Sequence, residues 1–205
     1  MSRPVIGLVG QVCAGKSAVA AAFQRRGAGV SAADRWVHEL YGRDDVKAEV
    51  RSLCGGGVFD SGGEVDRRKL GTAVFADAGL LEALTRRVVY PRVGAALERE
   101  TAAFRAATGP GAAPALVLDA PTLLEAGREP LCDRLLFVAA PRERRLAWAL
   151  ARRGWAPEEL ELRERHLLDE ARKRARCHAV IENSGTLEDL DRRVAELWKA
   201  WVEES

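Results

Sequence analysis

Residues 5–23 read VIGLVGQVCAGKSAVAAAF, and this stretch decides the fold. Residues 5–9 are apolar without interruption, which is typical of a strand buried on both faces of a parallel sheet. Residues 10–17 contain two glycines and are predicted to form a turn. Residues 18–26 then read as an alanine-rich helix that ends at Gly27. A strand, a glycine-containing turn and a helix in direct succession predict the first unit of an α/β protein.

The turn at residues 10–17 matches the pattern G-x-x-x-x-G-K-[ST] at every fixed position. A loop that wraps around phosphate must point successive backbone N–H groups inward, and glycine permits both the dihedral angles and the close approach. The N-terminus of the following helix adds a positive partial charge. In this pattern Lys16 neutralises phosphate oxygens and the Ser17 hydroxyl ligates Mg²⁺. We therefore predict a nucleotide-phosphate site that takes ATP and Mg²⁺.

Four further short apolar runs predict strands at residues 29–31, 115–118, 135–138 and 179–181. Helical patterns lie between them, and Thr186 is predicted to cap a closing helix that extends to residue 203. This alternation predicts the α/β class, with a P-loop NTPase fold and a doubly wound parallel sheet of about five strands.

Two carboxylates are candidates for the chemistry that the phosphate loop does not supply. Asp34 follows the second strand, at the edge of the sheet where such folds bind ligands. Capping of the next helix is the alternative role for Asp34. Asp119 ends the third strand and is similar to a Walker-B carboxylate, with stabilisation of the turn before Pro121 as the alternative.

Composition excludes several classes of protein. The net charge is +2, so the overall electrostatics predict no nucleic-acid partner. The arginine-rich residues 142–176 either grip a polyanion such as ATP or form a solvated helical face. Four cysteines without C-x-x-C spacing argue against a zinc site or a disulfide framework and fit a reducing cytosol. The sequence has no apolar run near the roughly 20 residues needed to span a bilayer, and its start leaves no room for a signal peptide. We expect a cytoplasmic protein with no membrane partner, as a monomer or weak oligomer.

Several ordered motifs make nearly the whole chain similar to one family. They are IGLVG-x₄-GKS at residues 6–17, GEVDRRKL at 63–70, PTLLE at 121–125 and VIENSG at 180–185. Together they resemble the bacterial dephospho-CoA kinases. The phosphate loop alone is shared by many proteins, and the ordered set at these separations is far more discriminating.

The resemblance implies transfer of the γ-phosphate of ATP to the ribose 3′-hydroxyl of dephospho-CoA, the last step of coenzyme A synthesis. It implies catalytic roles for Asp34, which takes or orients the hydroxyl proton, for Lys16 and for Arg67. The acceptor-binding residues that it implies are Asp34, Arg67, Leu123, Leu124 and Glu125. The implied ATP-binding residues are Gly10, Val12, Cys13, Ala14, Gly15, Lys16, Ser17, Ala18, Asn183 and Gly185, and Ser17 is the implied metal ligand.

The same resemblance implies one kinase domain over residues 1–205. Its core segments would be about 1–33, 114–140 and 178–205, with a helical acceptor-binding insertion at about 34–107. Helices over about 141–176 would form a mobile lid that excludes water.

Some positions depart from the family pattern. The usual D-A-D after the second strand is Ala32-Ala33-Asp34, and Tyr90-Pro91 replaces His-Pro. The lid pattern Q-x-x-R falls on residues 144–147 and lacks its arginine, so we expect Arg145 or Arg152, which share a helix face, to replace it. Two alternatives stay open: another P-loop small-molecule kinase for a nucleoside or nucleotide, or a nucleotide-binding relative with reduced or no kinase activity.

Overall fold

The computed structural model describes residues 3–204. These residues form two compact units. The first unit contains residues 3–32 and 98–204, and the second unit is Ala33–Leu97. The chain leaves the first unit directly after its second strand.

The first unit is built on a sheet of five parallel strands. They are β1 (Val5–Gly10), β2 (Gly29–Ala32), β3 (Leu116–Asp119), β4 (Arg134–Ala139) and β5 (Ala179–Glu182), in the order β2-β3-β1-β4-β5. Each predicted strand agrees with its observed bounds to within one residue. The predicted α/β class with a parallel five-stranded sheet is confirmed.

Ten α-helices accompany the strands within residues 3–204. They are α1 (Lys16–Gln24), α2 (Ala33–Tyr41), α3 (Asp44–Cys54), α4 (Arg67–Ala76), α5 (Ala78–Leu84), α6 (Tyr90–Ala106), α7 (Arg142–Arg153), α8 (Pro157–Glu164), α9 (Glu170–Ala175) and α10 (Leu187–Trp198). None of these helices combines the length and apolarity that crossing a bilayer requires.

Helices α1 and α10 pack together against the sheet in the main core of the first unit. Phe23 of α1 is fully buried, and its ring centroid lies 6.4 Å from that of Trp198. The predicted N-cap of the last helix is confirmed, since Thr186 and Asp189 form a reciprocal capping box. The prediction of one helix to residue 203 is wrong in its last turn, where Lys199–Glu203 adopts π-helical geometry.

The second unit is helical. Helices α3, α4 and α5 pack on one another around buried Val50, Leu70 and Leu84. Asp66 caps α4, because its side chain accepts hydrogen bonds from the backbone N–H groups of residues 68 and 69 in the first turn of the helix. An ion pair of 2.6 Å between Lys47 Nζ and Glu64 Oε1 ties α3 to the segment that precedes α4.

Candidate nucleotide-binding site

The loop between β1 and α1 contains backbone conformations that are unfavourable for residues with a side chain. Gly10 and Gly15 have φ angles of 150° and 91°. A Cβ atom on Gly10 would lie 2.1 Å from the Val138 carbonyl oxygen, and one on Gly15 would lie 2.3 Å from Asn183 Nδ2. Cys13 takes the left-handed region with φ 58°, although it carries a side chain. The two fixed glycines of the motif are therefore required by close packing as well as by backbone angle.

Lys16 lies buried at the start of α1, with 9 % of its surface exposed. Its Nζ donates to the Gln11 carbonyl oxygen at 2.7 Å and approaches that of Gly10 at 3.5 Å. Burial lowers the pKa of Lys16 from its ordinary value to about 8, and the Asp119 carboxylate opposes that shift. The Lys16 ammonium thus contacts carbonyl oxygens of its own loop, and phosphate oxygens would replace these two contacts.

Ser17, the predicted metal ligand, is exposed in the first turn of α1, and Ala18 follows it. Asp119 is the last residue of β3, where its Cα pairs with those of Leu8 and Ala32. Because all five strands are parallel, their carboxyl ends meet at one edge of the sheet, and the phosphate loop lies at that edge. Within residues 3–204, no three His, Cys, Asp or Glu side chains are grouped as metal ligands.

Asn183, directly after β5, holds the phosphate loop. Its Nδ2 donates to the carbonyl oxygen of buried Ala14 at 2.9 Å. Arg144 of α7 donates to the carbonyl oxygens of Gly185 at 2.6 Å and Asn183 at 3.3 Å. The Arg144 guanidinium also lies 5.3 Å from the centre of the Trp148 ring. The structure therefore brings together predicted ATP-binding residues of the loop after β1 and of the segment after β5.

A second side chain, Gln11, connects the loop to neighbouring segments. Its Nε2 donates to Glu170 Oε2 on α9 at 2.6 Å, and its Oε1 accepts from the Ala140 N–H at 2.9 Å. Arg145 of α7 is buried and pairs with Glu164, and its Nη1 donates to the Val12 carbonyl oxygen at 3.4 Å. Two of the three helices within the predicted lid, α7 and α9, therefore contact the phosphate loop through polar side chains.

Of the two predicted lid arginines, Arg145 supports the phosphate loop in this structure. Arg152 is exposed, and its guanidinium lies 5.8 Å from the centre of the Trp148 ring. The role of either residue as a lid arginine stays a prediction.

The loop after β3 carries three of the predicted acceptor-binding residues. Leu123 and Leu124 are buried at 1 % and 4 % exposure, and a Cβ on Gly7 would lie 2.6 Å from Leu123 Cδ2. Leu123 therefore packs tightly against β1. Glu125 forms an ion pair with Lys173 of α9, with 2.5 Å between Oε1 and Nζ. The acceptor-binding role of these residues stays a prediction.

Asp34 and Arg67 belong to the second unit, and both side chains are exposed. Asp34 lies inside the first turn of α2 rather than at the position that precedes the helix, so it is not an N-cap residue. Arg67 begins α4 and acts electrostatically on Tyr41, whose pKa burial raises to about 12. The catalytic roles of Asp34 and Arg67 stay predictions.

The contacts of three residues of the site were not predicted from the sequence: Gln11, Arg144 and Lys173. Gln11 fills a variable position of the loop motif, and the two cations lie among the many basic residues of 142–176. Their partners are far away in the chain, so no local pattern marks them.

A parallel sheet with this loop between its first strand and first helix defines a P-loop nucleotide-binding protein. Comparison with known proteins narrows the class. A family model described as dephospho-CoA kinase matches residues 4–189. The dephospho-CoA kinase of Symbiobacterium thermophilum is 36 % identical over 198 residues, which are 96 % of this chain and 80 % of that protein.

Solved structures share the fold of this chain. A crystal structure of a Thermus thermophilus protein is 35 % identical, with a TM-score of 0.76 over 98 % of this chain and 99 % of that one. A dephospho-CoA kinase from Campylobacter jejuni shares the fold at 15 % identity, with a TM-score of 0.68 over 98 % of each chain. The chain belongs to the dephospho-CoA kinase family.

Proposed function

We propose that this protein transfers the γ-phosphate of ATP to the ribose 3′-hydroxyl of dephospho-CoA, which yields coenzyme A and ADP. The observation that carries the proposal is the strained phosphate loop with its buried Lys16, in a chain that matches the family over residues 4–189. Neither alternative, a kinase for another small molecule or an inactive relative, has a specific observation in its favour.

Binding of ATP follows from the loop. Backbone N–H groups of residues 12–16 and the N-terminus of α1 supply partial positive charge to the phosphates. Lys16 supplies a full charge once it leaves the carbonyls of Gly10 and Gln11. Asn183 lies beside the loop and Gly185 follows it by two residues, in the segment that the resemblance puts near the adenine.

The residues present also fit Mg²⁺. In kinase sites this ion is held by one or two protein oxygens together with phosphate oxygens and water. The exposed hydroxyl of Ser17 suits that role, and Asp119 is a second oxygen donor at the same sheet edge. When bound, the ion neutralises charge that develops on the transferred phosphoryl group.

The acceptor side depends on Asp34, which follows β2 by two residues and is exposed. A carboxylate there would take or orient the proton of the attacking hydroxyl, and Arg67 would bind the acceptor. Helices α7 to α9 would close as a lid over the phosphates and exclude water, with Arg145 or Arg152 stabilising the transferring group.

We further propose a cytoplasmic location, which the four free cysteines favour. A kinase of this kind needs neither nucleic acid nor a membrane as a partner, and we propose a monomer or weak oligomer. Size-exclusion chromatography with light scattering checks the oligomeric state.

The deciding experiment is a coupled ADP-release assay with purified protein, Mg²⁺ and ATP. We expect dephospho-CoA to accelerate ADP release far above the rate without acceptor, and a panel of nucleosides, nucleotides and shikimate to give no acceleration. A rate that does not respond to dephospho-CoA would contradict the proposal. Faster turnover with a nucleoside would support another small-molecule kinase instead.

The role of Asp34 is tested by Asp34→Ala. Loss of a general base lowers kcat by roughly 10²–10⁴-fold, and ATP affinity should change less than about twofold, because the carboxylate does not face ATP in this account. Glu39→Ala, on the same helix and also exposed, is the matched control and should keep wild-type turnover. Equal loss of turnover and ATP affinity would assign Asp34 a structural or metal-directed role.

A further inference from the structure

A buried ion pair lies next to the phosphate site, and its lysine has no role in the proposed function. Glu125 and Lys173 keep only 8 % and 4 % of their side-chain surface exposed, at an Oε1–Nζ distance of 2.5 Å. Removing two charges from water costs about as much as their attraction returns, so a buried pair adds little stability. A role in stability is therefore a poor explanation for this pair.

The two oxygens of the Glu125 carboxylate differ in their hydrogen bonds. Its Oε1 accepts from both Lys173 Nζ and the Leu168 N–H, the latter at 3.1 Å. Its Oε2 is buried and has no hydrogen-bond partner. Without the Lys173 ammonium, a full negative charge would remain buried with one oxygen open to any cation in reach.

Lys16 is the buried cation of the phosphate loop, and helix α9, which carries Lys173, contacts β1, the strand that leads directly into this loop. In line with this placement, the Glu125 carboxylate raises the pKa of Lys16 and the Lys173 ammonium lowers it. Asp119 and Cys13 are the other groups whose charges act on Lys16. Lys16 currently donates to two backbone carbonyls, which are weak competitors for phosphate oxygens, whereas an ion pair with a buried carboxylate would be a strong competitor.

We propose that Lys173 is a positioning residue of the phosphate site, which pairs with Glu125 and so keeps that carboxylate from capturing Lys16. Lys16 then stays available for the phosphates of ATP. The inference rests on the proposed function to the extent that it takes ATP as the ligand of Lys16. It also explains why one short helix, α9, carries both Lys173 and Glu170, the partner of Gln11 in the phosphate loop.

The test is the ATP dissociation constant, measured by isothermal titration calorimetry without acceptor, together with the KM for ATP. Lys173→Met should raise both by about ten- to a hundredfold, in the range of coupling between neighbouring charged residues. Glu125→Gln removes the competitor and, because the calorimetric titration contains no acceptor, should leave the ATP dissociation constant within about threefold of wild type. The double variant Glu125→Gln/Lys173→Met should likewise return to within about threefold.

Two further variants sharpen the result. Lys173→Arg keeps the positive charge and should retain most of the ATP affinity. Arg172→Met removes an exposed cation from the same helix and should behave as wild type. A thermal unfolding curve of each variant shows whether it is folded. If Lys173→Met does not fold, weakened ATP binding by Glu125→Gln would still overturn the inference.

Any of the following ATP affinities overturns the inference. If Lys173→Met binds ATP as wild type does, Lys173 has no positioning role. If Glu125→Gln weakens ATP binding as much as Lys173→Met, or the double variant is no better than Lys173→Met, the pair is only a structural brace. A wild-type protein that binds ATP but does not phosphorylate dephospho-CoA would contradict the proposed function, and the ATP affinities would still decide the role of Lys173.

Discussion

Replacement of Asn183 by alanine tests whether this side chain holds the phosphate loop. The amide Nδ2 donates to the Ala14 carbonyl oxygen at 2.9 Å, and both residues are buried. Asn183→Ala leaves that oxygen without its partner in a site that water does not readily reach. An unsatisfied buried group of this kind costs about 1–3 kcal/mol. In a protein of this size each kcal/mol lowers Tm by about 2–4 °C, so we expect a drop of roughly 2–12 °C.

The assay is urea unfolding followed by circular dichroism, with the thermal transition as a second measure. Ser184→Ala, at the exposed neighbouring position, is the control and should unfold as wild type does. Asn183 also blocks a side chain at position 15, where a Cβ would lie 2.3 Å from its Nδ2. Gly15→Ala should therefore be less harmful when combined with Asn183→Ala than the sum of the two single effects.

The reasoning about Asn183 is refuted by either of two results. One is an Asn183→Ala protein whose unfolding free energy stays within about 0.5 kcal/mol of wild type, the range of neutral surface changes. The other is strict additivity with Gly15→Ala.

Two further predictions concern the same loop. Because the pKa of Lys16 is lowered to about 8, most of the unliganded protein has a neutral Lys16 at pH 8.5. Bound phosphate favours the charged form, so ATP binding should take up more than half a proton at that pH, and ATP affinity should fall as pH rises above 8. Calorimetry in two buffers of different ionisation enthalpy measures this uptake, and no uptake would mean that Lys16 is already charged. Cys13→Gly should raise the unfolding free energy by up to about 1 kcal/mol, since Cys13 has φ 58°. A loss of that size in urea unfolding would show that packing of the thiol outweighs the backbone strain.

The strands were predicted well because their signal is local. Residues 5–9 and 135–138 are short apolar runs with no polar interruption, and a parallel sheet covered on both faces requires such runs. Helix α1 was predicted to begin at residue 18 and begins at Lys16, because the motif's own lysine and serine already have helical geometry. The π-helical turns at Thr85–Val89 and Lys199–Glu203 have no sequence signal that separates them from an α-helix.

The candidate site was predictable only where one motif carries it. The loop at residues 10–17 specifies its own backbone, so Lys16 and both glycines could be assigned from the sequence. The pairing of Glu125 with Lys173 could not be assigned from the sequence. The two residues are 48 positions apart, and only the packed fold brings the segment after β3 next to α9. Arg145 shows the same limit, because its charge predicts a solvent-facing or ligand-facing residue and the fold buries it.

The proposed reaction forms a phosphate ester on the 3′-hydroxyl of dephospho-CoA. It can be observed by ³¹P NMR of purified protein mixed with ATP, Mg²⁺ and dephospho-CoA. We expect a new 3′-phosphomonoester resonance that grows in step with ADP and does not form with the Asp34→Ala variant. A spectrum in which ATP is bound, or is hydrolysed to inorganic phosphate, without that resonance would contradict it.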